Sequence, residues 1–238
     1  MRFVPKESYE LSVILPCLNE EQTVGLCVEE AEGFFRKYQV KGEVLVVDNG
    51  STDRSAVAAF SKGARVLQEP KKGYGNAICA GIRYSRGKVL IIADCDMTYD
   101  LRHLEKMYEM LRTGDCDMVI GNRYVGGMEP GSMSLSHKWG VRMLSFCARK
   151  RFRTDVYDFH CGLRGMTREA AGRLEFHTGG MEFATEMIAQ AARQGLVIGQ
   201  VPVRLRRCTW ERTSKLRTVK DGFRHMRYIL LPGIHSGV

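Results

Sequence analysis

The chain has 238 residues, of which 44% are hydrophobic and 26% are charged, as in an ordinary soluble globular protein. It contains no apolar run of about 18 or more residues, so no segment is predicted to span a membrane. The first ten residues lack the apolar core of a signal peptide. The eight cysteines show no C-x-x-C pair and no zinc-ligand spacing. We therefore expect a cytoplasmic protein built around one large domain.

The formal net charge of +9 is concentrated in two segments. Residues 130–154 hold six Lys/Arg and no acid, and residues 203–228 hold nine Lys/Arg and two acids. A near-neutral body with two basic segments indicates an anionic partner. Nucleic acid, a phosphorylated substrate and an anionic membrane surface all qualify on charge alone.

Short apolar runs alternate with helical patterns in the first half of the chain. Strands are predicted at 11–15, 43–47, 64–67, 88–93 and 118–121, with helices at 73–84 and 101–111. Asn19 is predicted to cap another helix, whose first turn would hold Glu20 and Glu21. This alternation predicts a parallel sheet covered by helices on both faces.

The second half is less regular. Helices are predicted at 139–152, 181–194 and 216–231, and a strand at 197–205. The last helix is basic and amphipathic. Its apolar face could pack on the domain or lie in a membrane interface, and the basic, partly apolar segment 139–152 favours the membrane.

Polar residues follow the predicted strands, where an open α/β sheet binds its ligands. Asp94-Cys95-Asp96 comes directly after the strand at 88–93. Two carboxylates spaced in this way can converge on one divalent ion where the strand gives way to a turn. Mg²⁺ takes one or two carboxylates plus phosphate oxygens, and it would stabilise a departing diphosphate as a Lewis acid. The alternative is a pair of aspartates that caps the helix beginning near residue 101.

Two earlier strand ends carry PCLNEE at 16–21 and DNGSTD at 48–53, where a carboxylate can accept hydrogen bonds from a base or a ribose. With the aspartate pair they resemble the family 2 glycosyltransferases of the GT-A fold, specifically the dolichyl-phosphate mannose and glucose synthases. The matching segments run in order through nearly the whole chain: VILPCLNEE (13–21), VVDNGSTD (46–53), KKGYGNAICAGI (71–82), ADCDMTYD (93–100), GNRYVGG (121–127), DFHCGLRGMTREA (158–170), GMEFATEM (180–187), QVPVRL (200–205) and TSKLR (213–217).

The resemblance implies an α/β, Rossmann-like GT-A catalytic domain at 1–212 and a basic C-terminal helix at 213–238. Residues 1–125 would bind the nucleotide diphosphate sugar and residues 126–212 the acceptor. The implied donor-binding residues are Pro16, Asn19, Glu20, Asp48, Asn49, Gly73, Asn76, Asp94 and Asp96.

Catalysis is assigned by the same resemblance. Asp94 and Asp96 would hold Mg²⁺ or Mn²⁺, and Asp96, Arg123 and Glu186 would act in the reaction, with Arg123 facing the phosphates. Thr98 stands where the mannose synthases often have a metal-binding glutamine, which leaves the third ligand and the donor open.

The implied acceptor-phosphate residues are all basic, and they would form charge-assisted hydrogen bonds: Arg142, His160, Arg164, Arg206, Arg207 and Lys215. A surface position is the alternative for each arginine, and a packed core position is the alternative for His160. Glu182 and Glu186 are like charges one helical turn apart, so they either share a solvated face or one of them meets cations in the site. A phosphate acceptor with a second pKa of ~6 needs no strong base, so we expect Glu186 to orient or to accept a proton.

The preferred hypothesis is an inverting, metal-dependent hexosyltransferase that uses a UDP- or GDP-linked sugar and a polyprenyl phosphate. It would lie peripherally on the cytoplasmic face of a membrane. The first alternative is the same donor chemistry with a soluble glycan or small metabolite as acceptor. A nucleic-acid-binding module is disfavoured because the basic segments lack interleaved aromatics and known motifs. A nucleotidyltransferase would need a Gly-rich loop after the first strand, and residues 16–21 contain no glycine.

Overall fold

The computed structural model describes residues 9–208 and 218–231. The strands are β1 (Tyr9–Cys17), β2 (Gly42–Asp48), β3 (Arg65–Gln68), β4 (Gly87–Ile92), β5 (Met118–Asn122), β6 (Arg164–Thr167) and β7 (Ile198–Pro202). The helices are α1 (Val24–Tyr38), α2 (Ser55–Ser61), α3 (Tyr74–Tyr84), α4 (Glu105–Arg112), α5 (Arg123–Gly126), α6 (Leu135–Phe152), α7 (Arg168–Arg173), α8 (Phe183–Arg193) and α9 (Thr218–Leu230).

The strands form one sheet in the order β3-β2-β1-β4-β6-β5-β7. All neighbouring pairs are parallel except those of β6, which is antiparallel to both β4 and β5. Five consecutive residues of β1, from Leu11 to Leu15, are buried, so both faces of the sheet are covered there. The predicted α/β class with a mostly parallel sheet is therefore confirmed.

The carboxyl ends of β2, β1 and β4 lie side by side because these strands are neighbours and parallel. The register pairs Cys17 with Asp48, so the two strands end at the same level. Ile14 pairs with Ile92 on the other side, which places Asp94 just past the end of β4. This edge holds the residues that the sequence singled out for donor binding.

Several predicted boundaries differ from the structure. Asn19 does not cap α1, which begins at Val24 after Thr23; Asn19 itself takes a left-handed conformation with φ 52°. The short strand β6 was not predicted at all, since only Met166 among its four residues has a large apolar side chain. The helix predicted from residue 101 begins at Glu105.

The C-terminal helix predicted at 216–231 is observed as α9. It packs on the domain through Tyr228 and Ile229, which are buried, and the Tyr228 ring lies 6.4 Å from that of Phe152 at the end of α6. Residues 213–217 and 232–238 lie outside the described residues. Among the described helices, none combines the length and apolar character needed to cross a bilayer.

Candidate active site

Hydrogen bonds to backbone carbonyls join the three strand ends into one surface. The Asn49 amide, after β2, donates to the Cys17 carbonyl at the end of β1 over 2.9 Å. The Thr23 hydroxyl donates to the Cys95 carbonyl, after β4, also over 2.9 Å. The Cys95 thiol in turn donates to the Pro16 carbonyl over 3.0 Å. The predicted donor-binding segments are thus adjacent in space.

The two loops that follow β1 and β2 hold each other in place. The Asn19 side-chain oxygen accepts from the Thr52 amide over 2.7 Å, and the left-handed backbone of Asn19 is a conformation that asparagine adopts readily. The Asp48 carboxylate accepts from the Ser51 amide over 3.0 Å and is buried. Glu20 is also buried, and its amide donates to the Ser55 hydroxyl over 2.7 Å. The Glu20 carboxylate accepts from the Thr23 hydroxyl over 3.1 Å, so both carboxylates have a protein partner before any ligand arrives.

Asn49 connects this surface to the start of α3. Its amide nitrogen donates to the carbonyls of Glu69 and Lys71, and its oxygen accepts from the Gly73 amide over 2.6 Å. Gly73 has φ 134°, and a Cβ there would lie 2.2 Å from the Gly179 carbonyl oxygen, so only glycine fits. Asn76 lies one helical turn later, with its side chain donating to the Lys72 carbonyl over 3.0 Å.

The aspartate pair lies where β4 gives way to a turn. Asp96 is buried, and one of its oxygens accepts from the Thr98 amide over 3.1 Å and from the Thr98 hydroxyl over 2.5 Å. Thr98, which replaces the glutamine of the mannose synthases, therefore contacts this carboxylate directly. Asp94 accepts from the Tyr74 hydroxyl over 3.2 Å. Burial, with the nearby Asp94 charge, raises the pKa of Tyr74 well above its ordinary value, so the phenol stays a proton donor.

Glycine leaves room for Asp94. A Cβ on Gly162 would lie 2.0 Å from one Asp94 oxygen, so the carboxylate is held against bare backbone. Within 9–208 and 218–231, no group of three or more His, Cys, Asp or Glu side chains is arranged to hold a metal ion. The chemistry of two carboxylates, with Gly162 leaving space beside Asp94, suits a Mg²⁺ or Mn²⁺ ion that takes its remaining ligands from a diphosphate and water.

Glu186 is not on a solvated face. It is 0% exposed, and its carboxylate accepts from the amides of His177 and Thr178, each over 2.9 Å, and from the Thr178 hydroxyl over 2.5 Å. The carbonyl of Gly179 next to them accepts from the Gly75 amide over 3.0 Å. Glu186 therefore holds residues 177–179 against the start of α3, which is an orienting contact rather than that of an open base.

Two arginines assigned to substrate lie instead in the protein core. Arg123 is buried and forms two hydrogen bonds of 2.7 Å with the carboxylate of Asp158, so its guanidinium is already paired inside the protein, and its predicted contact with the phosphates stays a prediction. Burial alone would lower the pKa of Arg123, but Tyr99 and Asp158 raise it well above its ordinary value. Arg164 is 1% exposed, and it donates to the backbone carbonyls of Cys161 and Ala184. Its guanidinium donors are therefore used inside the protein, and its predicted acceptor role stays a prediction.

Three other predicted acceptor residues each contact a different part of the protein. Arg206 pairs with Glu30 over 2.9 Å and with Asp100. The Arg207 amide donates to Glu129 over 2.9 Å, while the Arg142 guanidinium lies 4.9 Å from the centre of the Tyr124 ring. Lys215 lies outside the described residues.

His160 packs against a second histidine. Its ring lies 4.5 Å from that of His225, and its Nδ1 lies 3.4 Å from the Ser145 hydroxyl. Burial, the neighbouring His225 and Arg123 lower the pKa of His160 well below its ordinary value. This environment matches the packed alternative for His160 better than a phosphate ligand.

Sequence reasoning assigned no role to Tyr74, Asp158 or Gly162. All three lie inside segments that carry the resemblance, KKGYGNAICAGI and DFHCGLRGMTREA. The matching segments could therefore have marked these three residues as candidates. Only the fold shows that Tyr74 and Gly162 lie against Asp94 and that Asp158 neutralises Arg123.

Comparison with known proteins identifies the family. The model of the family described as "Glycosyl transferase family 2" matches residues 12–174, more than half of the chain. The chain is a family 2 glycosyltransferase. The family 2 glycosyltransferase fold is also found in glucosyl-3-phosphoglycerate synthase of Mycobacterium tuberculosis, whose structure covers 94% of this chain and 78% of that one with a TM-score of 0.75 and 23% identity. That likeness agrees with the predicted GT-A fold.

Two curated relatives come from Haloferax volcanii. The low-salt glycan biosynthesis hexosyltransferase Agl6 is 36% identical over 93% of this family 2 glycosyltransferase, which spans only 53% of Agl6. A dolichyl-phosphate hexose transferase is 30% identical over 82% of each chain. The predicted resemblance to polyprenyl-phosphate glycosyltransferases is confirmed by these relatives.

Proposed function

We propose that this glycosyltransferase moves a hexose from a UDP- or GDP-linked sugar to a polyprenyl phosphate, with a divalent metal and inversion at the anomeric carbon. The observation that carries the proposal is the meeting of three strand ends, which brings Glu20, Asp48, Asp94 and Asp96 to one edge of the sheet. The relative named as a dolichyl-phosphate hexose transferase supports the lipid-linked acceptor.

The donor would lie across this edge. The Asp48 carboxylate is held by the Ser51 amide and the Glu20 carboxylate by the Thr23 hydroxyl, so they can accept hydrogen bonds from the base and ribose with little reorganisation. Asp94 and Asp96 would hold the metal ion, which when bound supplies positive charge against the leaving diphosphate. Tyr74 keeps Asp94 oriented by its hydrogen bond.

The acceptor would approach from the opposite side of the sugar. Because a phosphate monoester is largely dianionic at neutral pH, it can attack without a strong general base. This agrees with a Glu186 that is already engaged by three hydrogen bonds. Catalysis would then depend mainly on positioning and charge stabilisation.

A soluble glycan or small metabolite as acceptor is the second candidate. Structures of the M. tuberculosis glucosyl-3-phosphoglycerate synthase, which shares the fold, were solved with Mn²⁺, UDP-glucose and phosphoglyceric acid. Both candidates share this edge of the sheet and the aspartate pair, and they differ in the attacking group, which is a phosphate oxygen in a polyprenyl phosphate and a hydroxyl in a soluble glycan or metabolite.

A donor and acceptor screen tests the proposal. UDP- and GDP-sugars would be offered with Mg²⁺ or Mn²⁺ and either polyprenyl phosphate in vesicles or soluble phosphorylated metabolites, and released nucleotide diphosphate would be measured. Turnover with a polyprenyl phosphate is expected, and it should stop when the metal is chelated. Turnover with soluble acceptors alone would favour the second candidate.

The aspartate pair is tested by Asp96→Asn, with Asp155→Asn as a control whose side chain is fully exposed. We expect Asp96→Asn to lose turnover by about 100-fold or more, because removal of one electrostatic group costs that much in other enzymes. Both variants should stay folded, although Asp96→Asn should lose some thermal stability because the buried carboxylate accepts two hydrogen bonds from Thr98. Near-normal activity of Asp96→Asn would contradict the metal assignment.

A further inference from the structure

Helix α6 has two apolar faces, and only one of them packs on the protein. Val141, Leu144, Ala148 and Phe152 recur at spacings of three and four residues and are buried. An ordinary amphipathic helix would carry only polar residues on its opposite face. Here the opposite face is also apolar.

The outer face consists of Leu135, Trp139, Met143 and Phe146, which again follow spacings of four, four and three residues. Each of them is between 57% and 76% exposed. Contiguous exposed apolar patches on soluble proteins mark interaction sites. We call these four residues the outer face of α6.

Basic residues surround this outer face. Residues 130–154 contain six Lys/Arg and no acid, and Lys138 and Lys150 lie within one turn of Trp139 and Phe146. Apolar side chains, a large aromatic and flanking lysines on one helix are typical of segments that lie in the interface of an anionic bilayer.

We propose that the outer face of α6 docks this enzyme onto an anionic membrane surface, with Trp139 and Phe146 inserted among the lipids. The helix would lie along the surface, because α6 has 18 residues and its inner face is anchored to the domain. The biological reason for membrane docking rests on the proposed function, since a polyprenyl phosphate lies in a membrane. The exposed apolar residues and the surrounding charges are observed whatever the acceptor is.

Charge argues against the other occupants of this face. A second copy docked through the same face would bring two clusters of six positive charges together without an acid between them. The segment 209–217 carries three Lys/Arg and one acid, so it offers no complementary charge either. An anionic lipid surface complements the cluster.

The sequence offered two candidates for the membrane surface, the C-terminal helix and the segment 139–152. The C-terminal helix was the first candidate, but α9 buries His225, Tyr228 and Ile229 against the domain. Its apolar residues are therefore partly used in packing, whereas the outer face of α6 has no such use in the described residues.

Vesicle binding tests the proposal without any turnover. The full-length enzyme would be sedimented with phosphatidylcholine vesicles that contain or lack phosphatidylglycerol. We expect binding to the anionic vesicles, weakened in about 1 M salt, where the Debye length is about 3 Å. Trp139→Ser/Phe146→Ser should lower the partition coefficient by about 10-fold to 100-fold, since two large apolar side chains no longer enter the bilayer.

The matched control is Phe60→Ser on α2. Phe60 is 73% exposed, as is Trp139, but its helix is not on the basic segment. The Phe60→Ser enzyme should bind vesicles like the wild type. The double variant and Phe60→Ser should both keep the melting temperature of the wild type. Equal binding by wild type and the double variant would overturn the proposal, as would equal losses in the double variant and Phe60→Ser. Lipid-free dimers that the double variant abolishes would assign the face to a second copy instead.

Transfer to a short-chain, water-soluble polyprenyl phosphate separates this inference from the proposed function. If the double variant transfers sugar to the soluble acceptor at the wild-type rate but loses activity on vesicles, both proposals stand. If the wild type binds vesicles but transfers sugar to no polyprenyl phosphate, the proposed function fails and the docking surface stands.

Discussion

Replacing Glu186 by glutamine distinguishes an orienting role from general-base catalysis. The carboxylate accepts three hydrogen bonds from His177 and Thr178 and is fully buried. A glutamine keeps one acceptor oxygen but turns its amide nitrogen towards an N–H or O–H donor. At least one hydrogen bond to a charged group is lost, and a buried donor is left facing another donor.

The loss can be estimated from the contacts. A hydrogen bond to a charged group contributes about 1.5–3 kcal/mol, and an unsatisfied buried donor adds a comparable cost. We expect Glu186→Gln to lower the free energy of unfolding by about 3 kcal/mol. For a chain of this size that is a fall in Tm of about 10 °C. Residues 177–179 should then hold the start of α3 less firmly, which raises KM for the sugar donor.

The assay combines urea unfolding with kinetics over a range of pH. An orienting Glu186 predicts a lower stability, a higher donor KM and a pH–rate profile of unchanged shape. Glu182→Gln is the control, since that carboxylate lies one turn earlier on the same segment and its Arg224 partner is 3.7 Å away. A Glu186→Gln enzyme of normal stability that loses kcat together with the acidic limb of the profile, where a general base becomes protonated, would refute the reasoning.

The remaining predictions concern the space around Asp94 and the buried histidines. Gly162→Ala should lower turnover by about 100-fold, because the added Cβ would lie 2.0 Å from Asp94 and displace it; Gly172→Ala, whose Cβ meets no heavy atom of the described structure within 4 Å, should keep normal rates. Burial lowers the pKa of His225 from 6.5 to about 4. The unfolded chain therefore binds the extra proton first, and stability should fall by about 1.4 kcal/mol per pH unit as the pH drops from 6.5 towards 4. Urea titrations should show a shallower fall for His225→Gln, and an equal slope in both proteins would contradict the assignment.

The edge formed by the ends of β1, β2 and β4 could largely be predicted from the sequence, because the patterns that indicate a strand and its end are local. The apolar runs at 11–15, 43–47 and 88–93 predicted strands, and the polar residues directly after them had to lie at strand ends. Parallel pairing then placed those ends side by side, as the register of β1 with β2 and β4 shows.

The arginines could not be placed in the same way. In the sequence, Arg123 and Arg164 resemble ligands for an anionic substrate. In the fold, Asp158 neutralises Arg123, and the Ala184 carbonyl accepts a hydrogen bond from Arg164. Asp158 is 35 residues from Arg123, and Ala184 is 20 residues from Arg164. A buried charge is tolerated only where such partners exist. The residues next to an arginine in the sequence do not reveal these partners, because they come from distant segments.

The sequence by itself determined the strand ends, the order of the motifs and the family, since each depends on residues close together in the chain. Only the tertiary structure decided which charges face outwards, which glycines make room for Asp94 and which face of α6 remains uncovered. These outcomes depend on packing between distant segments, where the cost of burying a charge or exposing an apolar face is set by whatever lies opposite.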